Sequence, residues 1–351
     1  MKIALVAPVF ERVPPKRYGG TERVISYLAE ELVRQGHRVT LFATGDSVTR
    51  ARLVPVIADS RRFDSRRPEW LMYQTMMLDQ VARMAGEFDV IHFHTDFLHF
   101  SLARQLPVPH LTTVHCRLDE PELIPLYRHF ADLPLVSISD SQRLPVAWAG
   151  WQGTVYHGLP ADLHAFNPDP GDYFAFVGRI SPEKRVDRAI DIARRLDKPL
   201  YIAAKVDTTE EAYFREKIRP LLAHPRIDFI GEVGEDEKGQ LLGGAAALLF
   251  PIDWPEPFGL VMIESLACGT PVVAYRHGSV PEIMEDGVTG FVVDTQDEAV
   301  TAAASIDQID RRLCRRAFEQ RFTSRRMAEC YVAIYRRLRQ KHAAPAKAVL
   351  A

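Results

Sequence analysis

Two carboxylates, Glu256 and Glu264, stand eight residues apart around the stretch Trp254-Pro255-Glu256-Pro257-Phe258-Gly259-Leu260. Pro255, Pro257 and Gly259 demand irregular backbone soon after the apolar run Ala245 to Phe250, which reads as a buried parallel strand. From Leu260 the pattern turns helical to about Ala267, where Gly269 and Pro271 stop it. The N–H groups of Phe258, Gly259 and Leu260 therefore open a helix, a position that favours an anion. Glu256 in the loop and Glu264 one to two turns into the helix can contact different parts of one elongated ligand. A glutamate inside a helix is ordinarily a solvated face; Ile263, Ser265 and Leu266 beside Glu264 weaken that reading.

Cations come from a second strand end. Arg179 follows the strand-like Tyr173 to Val177, and Ser181-Pro182 has the form of a helix N-cap with proline at the first helical position. This predicts a helix from Pro182 to about Leu196 with Lys184 and Arg185 in its first turn. Cations there oppose the helix dipole by roughly 0.3 to 1 kcal/mol each, and a bound anion reverses the sign. Arg179 can fork onto phosphate oxygens while Lys184 supplies a point charge; the alternative is a set of solvated surface cations.

Near the N-terminus, Val9 to Gly20 is a loop by its paired prolines and glycines, and Thr21 is placed to cap the following helix. Gly19 and Gly20 let backbone approach a ligand closely, or serve the turn alone. The loop lacks G-x-G-x-x-G, which weighs against a dehydrogenase-type dinucleotide site. His92 and His94 share one face of a strand, with Asp96 and His99 nearby; ordinary hydrogen bonds account for such strand-end histidines better than a metal does. His115 ends the strand Leu111 to Val114 and is either a site residue or a satisfied core histidine.

The elements that must position these groups form a regular rhythm. Strand-like runs at Ile3 to Ala7, Arg38 to Ala43, Val90 to His94, Leu111 to His115, Leu135 to Ser139 and Thr154 to His157 alternate with helical patterns such as Thr21 to Gln35 and Tyr73 to Ala85. Pro160, Pro168, Pro170 and Gly171 mark a linker over 158–172, after which the rhythm restarts at Tyr173 to Val177. It continues through Leu200 to Ala204, Ile227 to Ile230, Ala245 to Phe250, Pro271 to Tyr275 and Phe291 to Val293. A last helix, Arg325 to Gln340, carries Met327, Tyr331, Ile334, Tyr335 and Leu338 on one face. The pattern implies an α/β protein with two parallel sheets.

At 351 residues and 47% hydrophobic, the chain can build two cores of ordinary size. A formal net charge of −2 gives no general pull toward nucleic acid. Cys116, Cys268, Cys314 and Cys330 lack the spacing of a zinc site or a disulfide framework, which fits a reducing cytoplasm. The opening run Met1 to Pro8 is too short for a signal peptide or a membrane span.

The Glu256 to Glu264 segment, with P-F-G-L inside it, closely resembles the E-x7-E motif of family-4 retaining glycosyltransferases. Gly178-Arg179 through Lys184 resembles that family's G-R-x4-K element, Gly278-Ser279-Val280-Pro281-Glu282-Ile283 with Gly287 to Gly290 resembles the element after the second glutamate, and Gly19-Gly20-Thr21-Glu22 matches near the N-terminus. All four, in this order, extend the resemblance over nearly the whole chain.

The resemblance implies a GT-B fold: two Rossmann-like domains facing each other across a cleft, an acceptor-side domain at 1–160, a donor domain at 171–324, and a helix at 325–342 crossing back to the N-terminal domain as part of the hinge. It implies transfer of a sugar from a nucleoside-diphosphate donor to an acceptor hydroxyl with retention, completed by domain closure. Glu264 then takes the ribose hydroxyls, Glu256 the transferred sugar, and His115, matching T-x-H, lies beside that sugar. Gly19 and Gly20 lie against the donor phosphate or the acceptor, and the base lies near Gly231-Glu232-Val233. Arg185 stands where many relatives have glycine, and Cys116 where small residues are common.

With no D-x-D motif, Arg179, Lys184 and the N–H groups near Gly259 are expected to replace a metal, and no cofactor beyond the donor is implied. Family frequency alone favours uridine. A nucleotide-sugar epimerase, a sugar phosphorylase or a non-catalytic nucleotide-sugar binding protein would use similar architecture or the same Arg179, Lys184 and Glu264. On the acceptor side, Arg50, Arg52, Arg61, Arg62, Arg66 and Arg67 can touch anionic lipid, although Asp59 and Asp64 among them favour an ordinary solvated loop.

Overall fold

The computed structural model describes residues 1–17, 19–60 and 69–343. Arg61, Arg62, Asp64, Arg66 and Arg67 of the basic stretch lie outside the described residues, as does Tyr18 of the first loop. The chain divides into two compact units. One comprises the described residues of 1–138, residues 143–156 and the helix Ser324–Ala343; the other comprises 139–142 and 157–323.

The first unit is built on a seven-stranded parallel sheet. Its strands are β1 (Lys2–Val6), β2 (Arg38–Ala43), β3 (Arg52–Pro55), β4 (Val90–Phe93), β5 (His110–Thr113), β6 (Leu135–Ser137) and β7 (Trp151–Thr154), in spatial order β3-β2-β1-β4-β5-β6-β7. β1 is buried along Ile3 to Val6, as a central parallel strand covered on both faces requires. The helix Gly20–Arg34 buries Val24, Ile25, Leu28 and Leu32, the apolar positions of a 3.6-residue period. The helix Ser324–Ala343 packs against it and buries Met327, Ala328, Tyr331, Val332, Ile334 and Tyr335, while Leu338 is half-buried.

The second unit holds a six-stranded parallel sheet of β8 (Phe174–Arg179), β9 (Leu200–Lys205), β10 (Ile227–Gly231), β11 (Ala247–Phe250), β12 (Val272–Tyr275) and β13 (Gly290–Val293), ordered β10-β9-β8-β11-β12-β13. In both sheets the order reverses beside the unit's first strand, between β1 and β4 and between β8 and β11. Open α/β sheets bind ligands outside the carboxyl ends of the strands at such a reversal.

Four local expectations need correction. β7 occupies Trp151–Thr154 and not Thr154 to His157, because the strand pairs with β6 before the apolar Val155 is reached. The edge strand β3 was not anticipated: an arginine at one end and a proline at the other hide it, and an edge strand tolerates both. Thr21 does not cap the helix after the first loop; it is the second helical residue, and Gly19 precedes the helix at φ 155°.

The last concerns the segment after β8. A 3₁₀ turn fills Pro182–Lys184, Arg185 adopts a left-handed conformation (φ 51°, ψ 47°), and the α-helix runs only from Val186 to Arg195. Ser181 makes no cap; its hydroxyl donates to Glu183 Oε1 at 2.6 Å. Lys184 and Arg185 are therefore not in a helical first turn, and the helix-dipole argument does not apply to them. The left-handed residue costs a non-glycine side chain roughly 1 to 2 kcal/mol, and accounts for glycine at this position in the resembled family. Here Arg185 is anchored by Asp187 at 2.8 to 3.2 Å and by Asp253 at 2.9 Å.

Candidate active site

In the second unit the sequence-predicted groups gather at the carboxyl ends of β8 and β11. Arg179 is the last residue of β8, with its guanidinium 3.3 Å from Glu183 and 3.7 Å from Asp207. Lys184 forms an ion pair with Glu256, largely shielded from solvent on both sides. The indole N–H of Trp254 donates to the same Glu256 oxygen at 3.0 Å, and the Lys184 ammonium lies 4.8 Å from the Trp254 ring. Burying such a pair makes sense only when each charge has its partner; removing either leaves the other uncompensated.

The loop carrying Glu256 is fastened from two sides. Asp253 N–H donates to the Glu183 carbonyl at 2.8 Å, joining it to the 3₁₀ turn. Ser279 N–H donates to the Glu256 carbonyl at 2.9 Å, and the Ser279 hydroxyl donates to the Phe258 carbonyl at 2.8 Å. Gly278 has φ 54°, and a Cβ there would collide with the Glu256 backbone. The G-S pair of the fourth motif is thus a buttress for this loop. Glu282, in the same motif, accepts from Asp140 N–H and Ser141 N–H at 2.7 and 2.6 Å.

Gly259 turns left-handed (φ 77°, ψ 66°) immediately before the helix Leu260–Cys268. A side chain there would meet Met262 and Phe250, so the glycine is set both by φ and by space. Phe258 buries its ring against His157 and Phe322, which keeps the side chain out of a ligand's reach. The N–H groups of Gly259 and Leu260 lie at the helix start, where no i−4 carbonyl exists to receive them. Glu264 is buried, and its Oε1 accepts from the Lys238 ammonium at 2.6 Å. Val233 is half-buried just past β10, after Gly231 at φ 76°.

In the first unit, Gly19 precedes and Gly20 opens the helix after the loop that follows β1. A Cβ on Gly19 would sit 2.8 Å from Pro15 Cβ and 3.2 Å from Glu22 Oε2, so the turn itself requires this glycine. Burial raises the Glu22 carboxyl to about 7. His115 follows β5, with Nε2 2.9 Å from His94 Nδ1. Burial lowers the His115 imidazole to about 4, so it is neutral at pH 7 and can both donate and accept. The Cys116 thiol is pushed up by burial and by Asp96, which keeps it protonated and unreactive. Arg50 pairs with Glu30 at 3.1 Å and Arg52 with Glu87 at 3.1 Å, the behaviour of an ordinary surface.

Sequence reasoning missed Lys238, Trp254, Ser279 and the acids that hold Arg179 and Arg185. The charged Glu235-Asp236-Glu237-Lys238 run reads as a solvated helix start, and nothing local marks Lys238 as half enclosed. A motif-level signal existed for Ser279, within G-S-V-P-E-I, and for Trp254, at the head of the segment that carries Glu256.

A family model described as glycosyl transferases group 1 matches residues 164–321, and one described as glycosyltransferase family 4 matches residues 18–148. A phosphatidyl-myo-inositol mannosyltransferase of Mycobacterium leprae is 24% identical over 345 residues, 87% of each chain. The crystal structure of AviGT4, a glycosyltransferase involved in avilamycin A biosynthesis, is 26% identical with a TM-score of 0.72, covering 97% of this chain and 98% of that one. The Anabaena protein HepE, solved in complex with UDP and glucose, shares the fold at 19% identity with a TM-score of 0.74, covering 95% of this chain and 98% of that one. The two matched segments lie on the two sheets just described and together span most of the protein, so the chain belongs to the family-4, group 1 glycosyltransferases and carries the GT-B fold.

Proposed function

We propose that this glycosyltransferase moves a hexose from a nucleoside-diphosphate sugar, with UDP as the carrier, to an acceptor hydroxyl with retention at the anomeric carbon and without a metal. The observation that carries the reading is the grouping of Arg179, Lys184 and the Gly259–Leu260 N–H groups at the β8/β11 reversal, with Glu256 and Glu264 on either side of that helix start. Such a site offers fixed positive charge where a diphosphate leaves and carboxylates where vicinal diols bind. In the transfer step the C1–O bond to phosphate breaks, the acceptor oxygen bonds to C1 on the same face, and the departing phosphate oxygen takes the acceptor proton. Glu256 orients the sugar hydroxyls and also holds Lys184 in place. His115, neutral at pH 7, hydrogen-bonds the sugar near the anomeric centre, and Gly19 and Gly20 approach the donor phosphate or acceptor.

Uridine is supported by the UDP bound to HepE. The mannosyltransferase relative is named for an inositol lipid, which makes a cyclic polyol the first acceptor to try. The thiol state of the cysteines fits a reducing compartment such as the cytoplasm.

The test begins with thermal shifts against UDP, GDP, ADP and NAD with chelator present, followed by turnover of the selected donor. Glu256→Gln, which keeps an acceptor for Lys184 and Trp254, should lower kcat by about 10² to 10³ while leaving diphosphate affinity within a few fold. Transfer that survives this substitution, an inverted product by NMR, or loss of turnover on chelation would each overturn the corresponding part of the proposal.

A further inference from the structure

We infer that Lys238 is a positioning residue that holds the Glu264 carboxylate for the ribose of the donor, and so sets selectivity for ribose over deoxyribose. The inference rests on the reading of Glu264 as the ribose contact.

Lys238 is a buried cation between two acids. Lys238 Nζ lies 2.6 Å from Glu264 Oε1 and 3.1 Å from Glu235 Oε1, with its side chain only 11% exposed and that of Glu264 only 5% exposed. His164 Nε2 completes a row at 3.3 Å from Glu235 Oε1. Gly239, next to Lys238 on the helix Glu235–Gly244, makes room for that histidine: a Cβ there would sit 2.6 Å from His164 Nδ1. His164, Glu235 and Glu264 offer ligand atoms within 4.8 Å of one another, a spacing that suits a metal ion, yet the lysine ammonium is itself the cation between the two acids.

One consequence follows for Glu264. Held through Oε1, the carboxylate has a fixed orientation and presents Oε2 as the acceptor for a ligand hydroxyl. Without Lys238 the carboxylate loses that anchor and turns away, and a vicinal diol loses its partner. A substitution at Lys238 should therefore act on ribose recognition and leave the diphosphate contacts of the other strand end intact.

The experiment is calorimetric titration, with chelator present so that no metal replaces the ammonium, of UDP and 2′-deoxy-UDP into the full-length wild type, Lys238→Met, Lys238→Arg and Glu264→Gln. If the thermal panel selects guanine, GDP and 2′-deoxy-GDP take their place. Wild type should favour the ribonucleotide about tenfold or more, the scale of one hydrogen bond to a charged group. Lys238→Met should bring the ratio near one with deoxynucleotide affinity changed less than about threefold, and Lys238→Arg should restore part of the preference. A wild-type ratio in Lys238→Met alongside a lost ratio in Glu264→Gln would overturn the role of Lys238. Equal weakening of both nucleotides would also overturn it, as a general structural effect. A wild-type ratio in Glu264→Gln would instead show that Glu264 does not contact ribose, and the inference would fall with that reading. Should Lys238→Met not fold, the Arg variant decides: an unchanged ratio with altered fork geometry counts against positioning.

Discussion

The two units share one strand order at the core of their sheets and satisfy the buried polar groups beside those sheets with opposite chemistry. In the first unit the solution is neutral. His92 joins Tyr335 and Thr113 at 2.7 Å each, Thr113 joins Tyr331 at 2.9 Å, and His99 joins Thr112 at 2.7 Å and Thr95 at 2.9 Å. Burial lowers His92 and His99 well below the ordinary imidazole range. In the second unit the solution is charged: Lys184 with Glu256 and Lys238 with Glu264 and, at the opposite edge, just before β11 and β12 begin, a buried Arg311 whose guanidinium donates to the carbonyls of Asn167, Gly243 and Ala245 and to the Thr270 hydroxyl at 2.7 to 2.9 Å. The shared strand order therefore does not choose the charge of these groups. A neutral network that both donates and accepts suits hydroxyl ligands, whereas fixed cations suit a diphosphate. It follows that acid should damage the first unit and charge removal the second.

The largest effect expected is acid lability of the first unit. His110 and His115 both fall to about 4 through burial, and His92 and His99 move in the same direction. Their folded-state pKa lies below the unfolded value near 6.5, so the stability they contribute is complete above about pH 6.5 and is lost as the pH falls through about 4. At pH 5 each histidine at about 4 costs roughly 2 kcal/mol. Hydrogen exchange followed peptide by peptide should show residues of 1–138 losing protection between pH 7 and 5 while residues of 157–323 hold theirs. Equal loss in both would break the comparison.

Next in size is Arg311→Leu. Its burial lowers the guanidinium pKa, and its removal takes a donor from the carbonyls of Asn167, Gly243 and Ala245, of which Gly243 keeps the Asn167 amide, so the second unit should lose about 2 to 3 kcal/mol. The same exchange measurement should register this in 157–323 alone. A smaller effect runs against the acid trend within the first unit. Glu22, raised to about 7 by burial, contributes stability that is present below about pH 4.5 and lost as the pH rises through 7. Glu22→Gln should leave stability at pH 4.5 unchanged and raise it by about 1 to 2 kcal/mol at pH 8, the gain being limited by burial of the new amide. A urea midpoint with the same pH slope as wild type would remove Glu22 as the opposing group.

Much of the fold was legible because parallel strands covered on both faces are short continuous apolar runs. Arg38–Ala43 was read to the residue, and the helix from Leu260 ended within one residue of expectation because Gly269 is a left-handed stop. The failure after β8 has a long-range cause. Ser181-Pro182 signals the start of a helical turn but says nothing about the next residue, and the Asp253 carboxylate that stabilises Arg185 in its left-handed conformation is 68 residues away. The site divides in the same way. The places of Glu256, Glu264 and Arg179 were legible because strand ends and helix starts are local features, whereas the turn that carries Lys184 was not.

By itself the sequence determined the alternation of strand and helix, the glycines at Gly259 and Gly269, and the residue types offered at the edge of each sheet, since these depend on side-chain volume, backbone freedom and short-range period. The tertiary structure alone decided which charges meet: Lys184 with Glu256 across 72 residues, Lys238 with Glu264 across 26, and His92 with Tyr335 across 243. Partners of that kind are selected by burial, where an unmatched polar group costs more than any local preference can return.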